Sequence, residues 1–218
     1  KFMSFRSFFK TGDFFGKDFC YDALPNEIDP FDYETFAQSK IPFYVVCTDL
    51  ETGEAKYIPM TDLKKQMDYL RASASLPLLS KIVEIDGKKY LDGGVSDSIP
   101  IRFMEKQGFD HNIVVLTRPS TYRKKPVSFF SLIQKKYKDY PRFIHASAER
   151  HLVYNETLDY VQKQAQEKKA FVFRPSKNIS ISRLERSGAK LEKLYELGFQ
   201  DALRQKDALD RFIEKSRI

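Results

Sequence analysis

Apolar residues occur along this chain with two different spacings. Near-continuous apolar runs at 41–49 and 112–117 are typical of strands buried on both faces of a sheet. Apolar positions three or four residues apart predict long helices over 143–167 and 184–215. The alternation of strands and helices predicts an α/β fold, with a mainly parallel sheet flanked by helices. Shorter elements complete the prediction: helices over 31–38 and 62–73, and strands at 56–58 and 170–174.

A turn signal separates two short apolar runs near the middle of the chain. The pair Asp86-Gly87 between them predicts a β-hairpin over 82–91. A helix is predicted over 99–107, because a proline occupies its first turn and a glycine follows its end. Since a strand precedes this helix and another follows at 112–117, the sequence predicts a right-handed βαβ unit.

The first 20 residues contain seven phenylalanines. Four of them, Phe2, Phe5, Phe8 and Phe9, fall at helical spacing, and Gly12 is placed to end such a helix. Ordinary core packing is the favoured interpretation of this segment. The alternative is a lip beside a lipid-binding cleft.

Composition and length favour one globular domain over 1–218. Of the 218 residues, 42% are hydrophobic and 31% are charged, and no run approaches the length of a membrane span. Cys20 and Cys47 do not make a disulfide framework, and no cysteine or histidine cluster has zinc spacing. We therefore expect a reducing, cytoplasmic location and no bound metal.

The net charge of +7 is concentrated in two short basic segments, at 123–125 and 135–138. A solvated face that maintains solubility is the simplest interpretation. Peripheral contact with an anionic membrane surface and binding of phosphorylated substrates remain open. The sequence has no recognisable nucleic-acid motif, so no nucleic-acid partner is expected.

Candidate chemistry lies in the segment 90–100, Y-L-D-G-G-V-S-D-S-I-P. Asp92 follows a short apolar run, which places its carboxylate at the end of a strand, where ligands of α/β proteins usually bind. Gly93 and Gly94 lack a Cβ and allow a tight turn with close approach of other backbone. Asp92 is therefore a candidate catalytic carboxylate, although D-G-G is also a common turn sequence.

Four segments occur in a specific order: C-T-D-L-E-T-G-E at 47–54, R-A-S-A-S-L-P at 71–77, the segment at 90–100, and N-I-V-V-L-T-R-P at 112–119. Together they resemble the patatin-like phospholipases, in particular their bacterial branch. The resemblance extends over the chain and is tightest between 41 and 119. It implies an α/β lipid acyl hydrolase (a phospholipase or esterase) that uses a Ser–Asp dyad without an essential histidine or a cofactor. By this resemblance Asp92 is the general base, and Gly93 and Gly94 form the active-site turn.

The sequence departs from that family pattern in one large respect. No G-x-S-x-G elbow, which carries the family's serine, occurs in the chain. The nearest string, at 94–98, lacks the second glycine and follows the aspartate instead of preceding it. A glycine-rich oxyanion loop is also missing. We therefore expect 1–218 to be the C-terminal portion of a single patatin-like domain, incomplete at its N-terminus and inactive alone.

Other polar side chains have alternative roles. Ser73 and Ser75 lack a glycine-flanked elbow, so helix-end hydrogen bonding is favoured over a nucleophilic role. Asp97 is expected to cap the following helix, and Arg118 to form a surface ion pair or neutralise a phosphate. A Ser-His-Asp triad is the alternative enzyme mechanism, for which three histidines are available: His111, His145 and His151.

A different class of function is also open. A protein of the same fold without the nucleophile is a non-catalytic module that binds a membrane surface or another protein. The basic segment at 135–138 is the feature that such a module would use. Loss of vesicle binding on charge reversal there, together with absence of esterase activity, distinguishes the module from the enzyme.

Overall fold

The computed structural model of the chain describes residues 16–178, 181 and 185–216. The helix predicted from Phe2 to Phe9 and its possible role as a lip lie outside the described residues, as does Leu184. The described residues form two compact units. Unit one combines the described residues up to Ile99 with Lys125–Tyr154, and unit two combines Pro100–Lys124 with the described residues from Asn155 onward. The assignment of 1–218 to a single domain stays a prediction.

The described residues contain six strands: β1 (Tyr44–Asp49), β2 (Ala55–Pro59), β3 (Val83–Ile85), β4 (Lys88–Asp92), β5 (Asn112–Val115) and β6 (Ala170–Phe173). A π-helix spans Phe19–Ile28, and a single 3-10 turn spans Gly93–Val95. The α-helices are α1 (Tyr33–Gln38), α2 (Met67–Ser73), α3 (Ile101–Lys106), α4 (Phe130–Lys136), α5 (Pro141–Gln166) and α6 (Gly188–Ser216). The two long helices and the mixed α/β class agree with the sequence analysis.

The predicted hairpin is present as β3 and β4. Asp86 and Gly87 form its turn with φ angles of 52° and 73°, so both have the positive φ that a two-residue type I′ turn requires. Gly53 has a φ of 69° in the turn that joins β1 to β2. Both turns are too short to return the chain in any but the antiparallel direction.

The larger sheet corrects the expectation of a mainly parallel arrangement. Its strand order is β2-β1-β4-β3, and all three pairings are antiparallel. The apolar run that predicted a parallel strand is β1, which lies in the interior of this sheet. An apolar run of this kind indicates a strand that is covered on both faces. A central strand can be covered in this way in a parallel or an antiparallel sheet, so the run does not specify strand direction.

The predicted βαβ unit is also corrected. The strand before α3 is β4, which pairs with β1 and β3, whereas the strand after α3 is β5. β5 pairs in parallel with β6, in register from Asn112–Ala170 to Val115–Phe173, and these two strands form a separate sheet in unit two. Among the described strands, this pair alone is parallel.

One of the hydrophobic clusters of unit one joins β4 to α4 and the start of α5. Tyr137 and Phe143 are fully buried there, and their ring centroids are 4.9 Å apart in an edge-on arrangement. The Tyr137 hydroxyl accepts the Leu78 N–H at 3.1 Å, and burial raises the pKa of that hydroxyl. Leu91 and Val95, on either side of Asp92, belong to the same cluster. The polypeptide that carries Asp92 is therefore anchored on both sides by buried side chains.

Candidate functional site

Asp92 is the last residue of β4, as the sequence analysis predicted for its position. It lies opposite Cys47 in the β1–β4 pairing. Its backbone N–H donates to the Ser75 carbonyl at 2.9 Å. This bond ties the end of β4 to the segment that follows α2. The side chain of Asp92 is half-buried, so it combines fixed backbone with partial access to solvent.

The Asp92 carboxylate organises the turn that follows it. Its Oδ1 atom accepts the Gly94 N–H at 2.6 Å, at the start of the 3-10 turn. A carboxylate held by a backbone N–H stays in one orientation, which is a requirement for a general base. The structure thus gives Asp92 suitable geometry, while its catalytic role stays a prediction.

Gly93 is required by close packing against β1. A Cβ built on Gly93 would lie 2.1 Å from the Val46 carbonyl oxygen, far inside van der Waals contact. The neighbouring Gly94 is less constrained, since the nearest atom to its Cβ position is Asp92 Oδ1 at 2.9 Å. The two glycines therefore do different things. Gly93 allows the turn to contact the central strand, and Gly94 leaves room beside the carboxylate.

Two hydroxyls, the buried Thr48 and the partly buried Ser96, support the same turn. Thr48 Oγ1 donates to the Asp92 carbonyl at 2.8 Å and lies 2.8 Å from Ser96 Oγ. Because each hydroxyl carries one proton, a Thr48 that donates to Asp92 accepts from Ser96. Sequence analysis missed both residues. The available signal was a polar threonine directly after the apolar run of β1.

Arg150, in helix α5, holds the other side of the turn. Its Nε donates to the Gly94 carbonyl, and its Nη2 lies 3.3 Å from the position of a Cβ on Gly94. A guanidinium therefore contacts the turn that begins at the candidate base. Sequence analysis missed Arg150 as well, because the two residues are 56 positions apart and nothing in the local pattern connects them.

A pocket of about 700 Å³ opens beside this turn. Its walls come from the β1–β2 turn, from the residues after Gly94, and from the first half of α5. The apolar part of its lining consists of Ala55, Val95, Pro141, Ala146 and Val153. His145 and Glu149, which also line it, form an ion pair at 3.1 Å when the imidazole is protonated. A wall with both apolar and charged groups suits an amphipathic ligand.

Two of the other predicted side chains can be placed. Ser75 Oγ donates to the Arg71 carbonyl at 2.7 Å, which confirms the predicted helix-end hydrogen bond. Asp97 Oδ1 accepts the Ile99 N–H at 3.1 Å, but α3 begins at Ile101, so this bond closes a turn ahead of the helix and does not cap it. Asp97 Oδ2 accepts the Tyr57 hydroxyl at 2.7 Å, and burial and this bond raise the pKa of Tyr57.

The histidines and Arg118 have contacts of their own. The His151 ring contacts the Ala148 carbonyl at 3.0 Å, whereas His145 pairs with Glu149 as described above. The His111 ring packs at 6.0 Å from that of Phe212 in unit two. The Arg118 guanidinium lies over the Tyr122 ring at 5.1 Å. These contacts give no support to a Ser-His-Asp triad at Asp92.

Cys47, the partner of Asp92 in the β1–β4 pairing, is fully buried. Burial, with a smaller effect from the negative charge of Asp92, raises the pKa of its thiol to about 12. The thiol stays protonated at neutral pH and is a poor nucleophile. Within 16–178, 181 and 185–216, no group of three histidine, cysteine or acidic side chains is placed to hold a metal ion.

Comparison with known proteins divides the chain into two parts. Residues 1–104 match the family model described as Patatin-like phospholipase. This match includes the segment of Asp92 and confirms the resemblance drawn from the sequence motifs. Residues 140–214, which contain Arg150, match a family described as a domain of unknown function, DUF6363.

One curated relative is similar to part of this chain. It is the uncharacterized protein YjjU of Escherichia coli (strain K12), which is 29% identical over 126 residues. That alignment covers 56% of this chain and 35% of the relative. The chain therefore spans about a third of the length of the curated relative that it matches.

Proposed function

Since residues 1–104 carry a patatin-like phospholipase domain, we propose that this chain supplies the catalytic aspartate of a serine-type lipid acyl hydrolase. The substrate class is phospholipids or other acyl esters. The family match supports the general class of hydrolase. The Ser–Asp dyad, the role of Asp92 and a cytoplasmic location are parts of the proposal.

The proposed reaction needs one group from this chain and one from outside it. A serine supplied by a part of the protein beyond these 218 residues attacks the acyl carbonyl, while Asp92 accepts its hydroxyl proton. The tetrahedral intermediate then expels the alcohol, which takes that proton from Asp92 and leaves an acyl-serine ester. Water attacks this ester with Asp92 again as base, and the fatty acid and free serine result.

The observation that carries the proposal is the way Asp92 is held. Its side chain is half-buried at a strand end, its Oδ1 is bonded to the Gly94 N–H at 2.6 Å, and a pocket begins at the neighbouring Val95 and Ser96. A base needs a fixed orientation, which the bond from Gly94 supplies. The pocket wall starts three residues after Asp92, at Val95. The apolar part of the pocket wall suits an acyl chain.

Ester hydrolysis by the longer natural protein tests this proposal. Asp92→Asn keeps an oxygen that accepts the Gly94 N–H but cannot take a proton at neutral pH. We expect its kcat to fall by about 100-fold or more, the usual contribution of general-base catalysis. Asp97→Asn is the matched control, because Asp97 lies in the same segment with its carboxylate bonded to Tyr57. Asp92→Asn with kcat close to that of the parent protein would overturn the proposal.

Purified 1–218 is the second arm of this test. Without a serine elbow, and without the oxyanion donors that are each worth about 3 to 4 kcal/mol, it should not hydrolyse a soluble ester. Turnover by 1–218 that Asp92→Ala abolishes would contradict the assignment of the nucleophile to another part of the protein.

A non-catalytic binding module remains the second candidate. The observation that favours it is the absence of a G-x-S-x-G sequence from these 218 residues. In that case the longer protein also lacks esterase activity, and Asp92→Asn changes nothing but stability. Activity of the longer protein on a soluble ester therefore separates the two candidates.

A further inference from the structure

The chain between 125 and 142 has an unusually one-sided charge. It contains five basic residues and a single acidic residue, Asp139; the basic residues are Lys125, Lys135, Lys136, Lys138 and Arg142. The whole segment lies in unit one, and α4 forms its centre. Lys135, Lys136 and Lys138 are exposed. This region therefore presents a local positive charge on the unit that contains Asp92.

Two large apolar side chains stand exposed among these lysines. Phe129 is 68% exposed and Leu132 is 52% exposed. Phe129 directly precedes α4, and Leu132 lies in its first turn, so both stand near the N-terminal end of the helix. Lys135, also exposed, lies one turn beyond Leu132. Ile133 of α4 and Tyr137, which directly follows the helix, are buried and attach it to a hydrophobic cluster of unit one.

We propose that the exposed side chains in and beside α4, namely Phe129, Leu132, Lys135 and Lys138, dock on an anionic lipid bilayer. They are here called the basic apolar face. The lysines attract the negative headgroups, and the two apolar side chains enter the boundary between headgroups and acyl chains. This inference rests on the proposed function, because a hydrolase of membrane lipids must reach a bilayer.

The chemistry of the face favours a bilayer over the other polyanion that a basic surface attracts. A nucleic-acid base stacks on an exposed aromatic ring, whereas an aliphatic side chain such as Leu132 offers it no stacking surface. A bilayer accepts both phenylalanine and leucine below its headgroups. The helix is also firmly seated, because Lys136 Nζ contacts the Ser80 carbonyl at 3.4 Å in addition to the buried residues.

Co-sedimentation of 1–218 with large vesicles tests this inference directly. Vesicles of phosphatidylcholine with 30 mol% phosphatidylserine should bind the protein, and pure phosphatidylcholine vesicles should bind it at least about tenfold more weakly. Binding should also weaken as salt rises from 50 to 500 mM, since salt screens the attraction of the lysines. Each exposed lysine near such a surface contributes about fivefold in affinity.

Two pairs of substitutions separate the two parts of the face. Lys135→Glu with Lys138→Glu should reduce binding to anionic vesicles by about 30-fold or more. Phe129→Ser with Leu132→Ser should also reduce it, and should leave a weaker binding that salt abolishes. Lys136 is kept in both variants because it contacts Ser80. Far-ultraviolet circular dichroism and thermal melting check that each variant folds like the parent.

Matched controls carry the same chemical change elsewhere. Lys40→Glu with Lys193→Glu makes the same change in net charge at two exposed lysines outside the face, and should retain parental binding. Ile41→Ser with Leu152→Ser removes two exposed apolar side chains, 81% and 59% exposed, and should also retain it. Equal losses in the face and control variants would overturn the inference, because binding would then depend on overall charge or hydrophobicity.

Two further outcomes would overturn it. One is equal binding to anionic and zwitterionic vesicles, and the other is stronger competition by a single-stranded oligonucleotide than by anionic vesicles at the same charge concentration. Failure of this inference is distinguishable from failure of the proposed function. The vesicle assay needs no catalysis, and hydrolysis of a soluble ester needs no membrane.

Discussion

Each compact unit contains an aspartate that accepts a backbone N–H, but the two carboxylates lie in different surroundings. In unit one, Asp92 accepts from Gly94 at 2.6 Å and its side chain is only half-buried. In unit two, Asp201 of α6 accepts from Ser176 at 2.8 Å through Oδ2 and pairs with Arg204 through Oδ1. The Asp201 side chain is 7% exposed.

The difference distinguishes a structural carboxylate from a candidate catalytic one. Both oxygens of Asp201 are bonded within the protein, so its charge serves to hold the segment after β6 to α6. Asp92 is also supported through its backbone, by Ser75 and Thr48, and the residue is only partly buried. The degree of burial is therefore what separates Asp92 from Asp201.

The largest expected effect on stability is at Gly93, which directly follows Asp92. Gly93→Ala should lower the free energy of unfolding by about 3 kcal/mol or more, since the new methyl would overlap the Val46 carbonyl and backbone cannot yield cheaply. Urea denaturation measures this. Gly94→Ala is the control and should cost clearly less, because its nearest contact is a side-chain atom. Equal costs would mean that the turn does not depend on its contact with β1.

The next largest effect on stability is expected at the Thr48 hydroxyl, which bonds to the turn. Thr48→Val keeps the shape of the side chain but leaves the Asp92 carbonyl and the Ser96 hydroxyl without this partner. We expect a loss of about 1 to 3 kcal/mol in the free energy of unfolding. Thr61→Val, at an exposed position, should change it little. A neutral Thr48→Val would show that Asp92 is positioned without the hydroxyl pair.

A smaller, pH-dependent effect is expected at Asp201. The hydrogen bond from Ser176, aided by Arg204, lowers the pKa of Asp201 in the folded protein. Its charge therefore stabilises the fold above the ordinary pKa of about 3.9, and this stabilisation is lost as pH falls through the lower folded value. Asp201→Asn should be destabilising at pH 7, and the difference from the parent should shrink towards pH 2 to 3.

Asp210→Asn provides the control for that pH dependence. Asp210 lies on the same helix and pairs with Lys206, but it is exposed. Denaturation curves for the three proteins at several pH values give the comparison. If the effect of Asp201→Asn were the same at every pH, the contribution of Asp201 to stability would depend on the shape of its side chain rather than on its charge.

The smallest effect is expected at an open position of unit two. Gly198 lies inside α6, and a Cβ built on it meets no atom within 4 Å. Gly198→Ala should therefore raise the free energy of unfolding by about 0.5 to 1 kcal/mol through helix propensity alone. Thermal melting of 1–218 measures it. A loss of stability would indicate that something packs closely against this side of α6.

Local signals were enough to predict much of the fold. The β3–β4 hairpin was predicted because Asp86 and Gly87 specify its turn, and α5 because its apolar spacing persists over many turns. The direction of the sheet was not predictable in the same way. A buried apolar strand such as β1 has the same pattern in parallel and antiparallel sheets, and its pairing with β4 depends on residues more than 40 positions away.

The candidate site was likewise predicted only where its residues are close together in the sequence. Asp92, Gly93 and Gly94 are contiguous, so their order along the chain already indicates a strand end and a turn. Thr48 and Arg150 reach that turn from 44 and 56 positions away in sequence. Only the folded chain brings such side chains together, and their types, a buried hydroxyl and a helical arginine, are common in sites with no function.

The buried thiol of Cys47 gives unit one an internal reporter of its own opening. It lies opposite Asp92 in the β1–β4 pair and has no exposed surface, whereas Cys20 is only half-buried. The Sγ of Cys47 contacts the Tyr69 carbonyl of α2 at 3.5 Å, so a thiol reagent reaches it only when the packing of α2 on the sheet opens. The labelling rate counts those openings. Mass spectrometry that distinguishes the two cysteines would then record how often the packing around Cys47 opens, in unmodified protein and without denaturant.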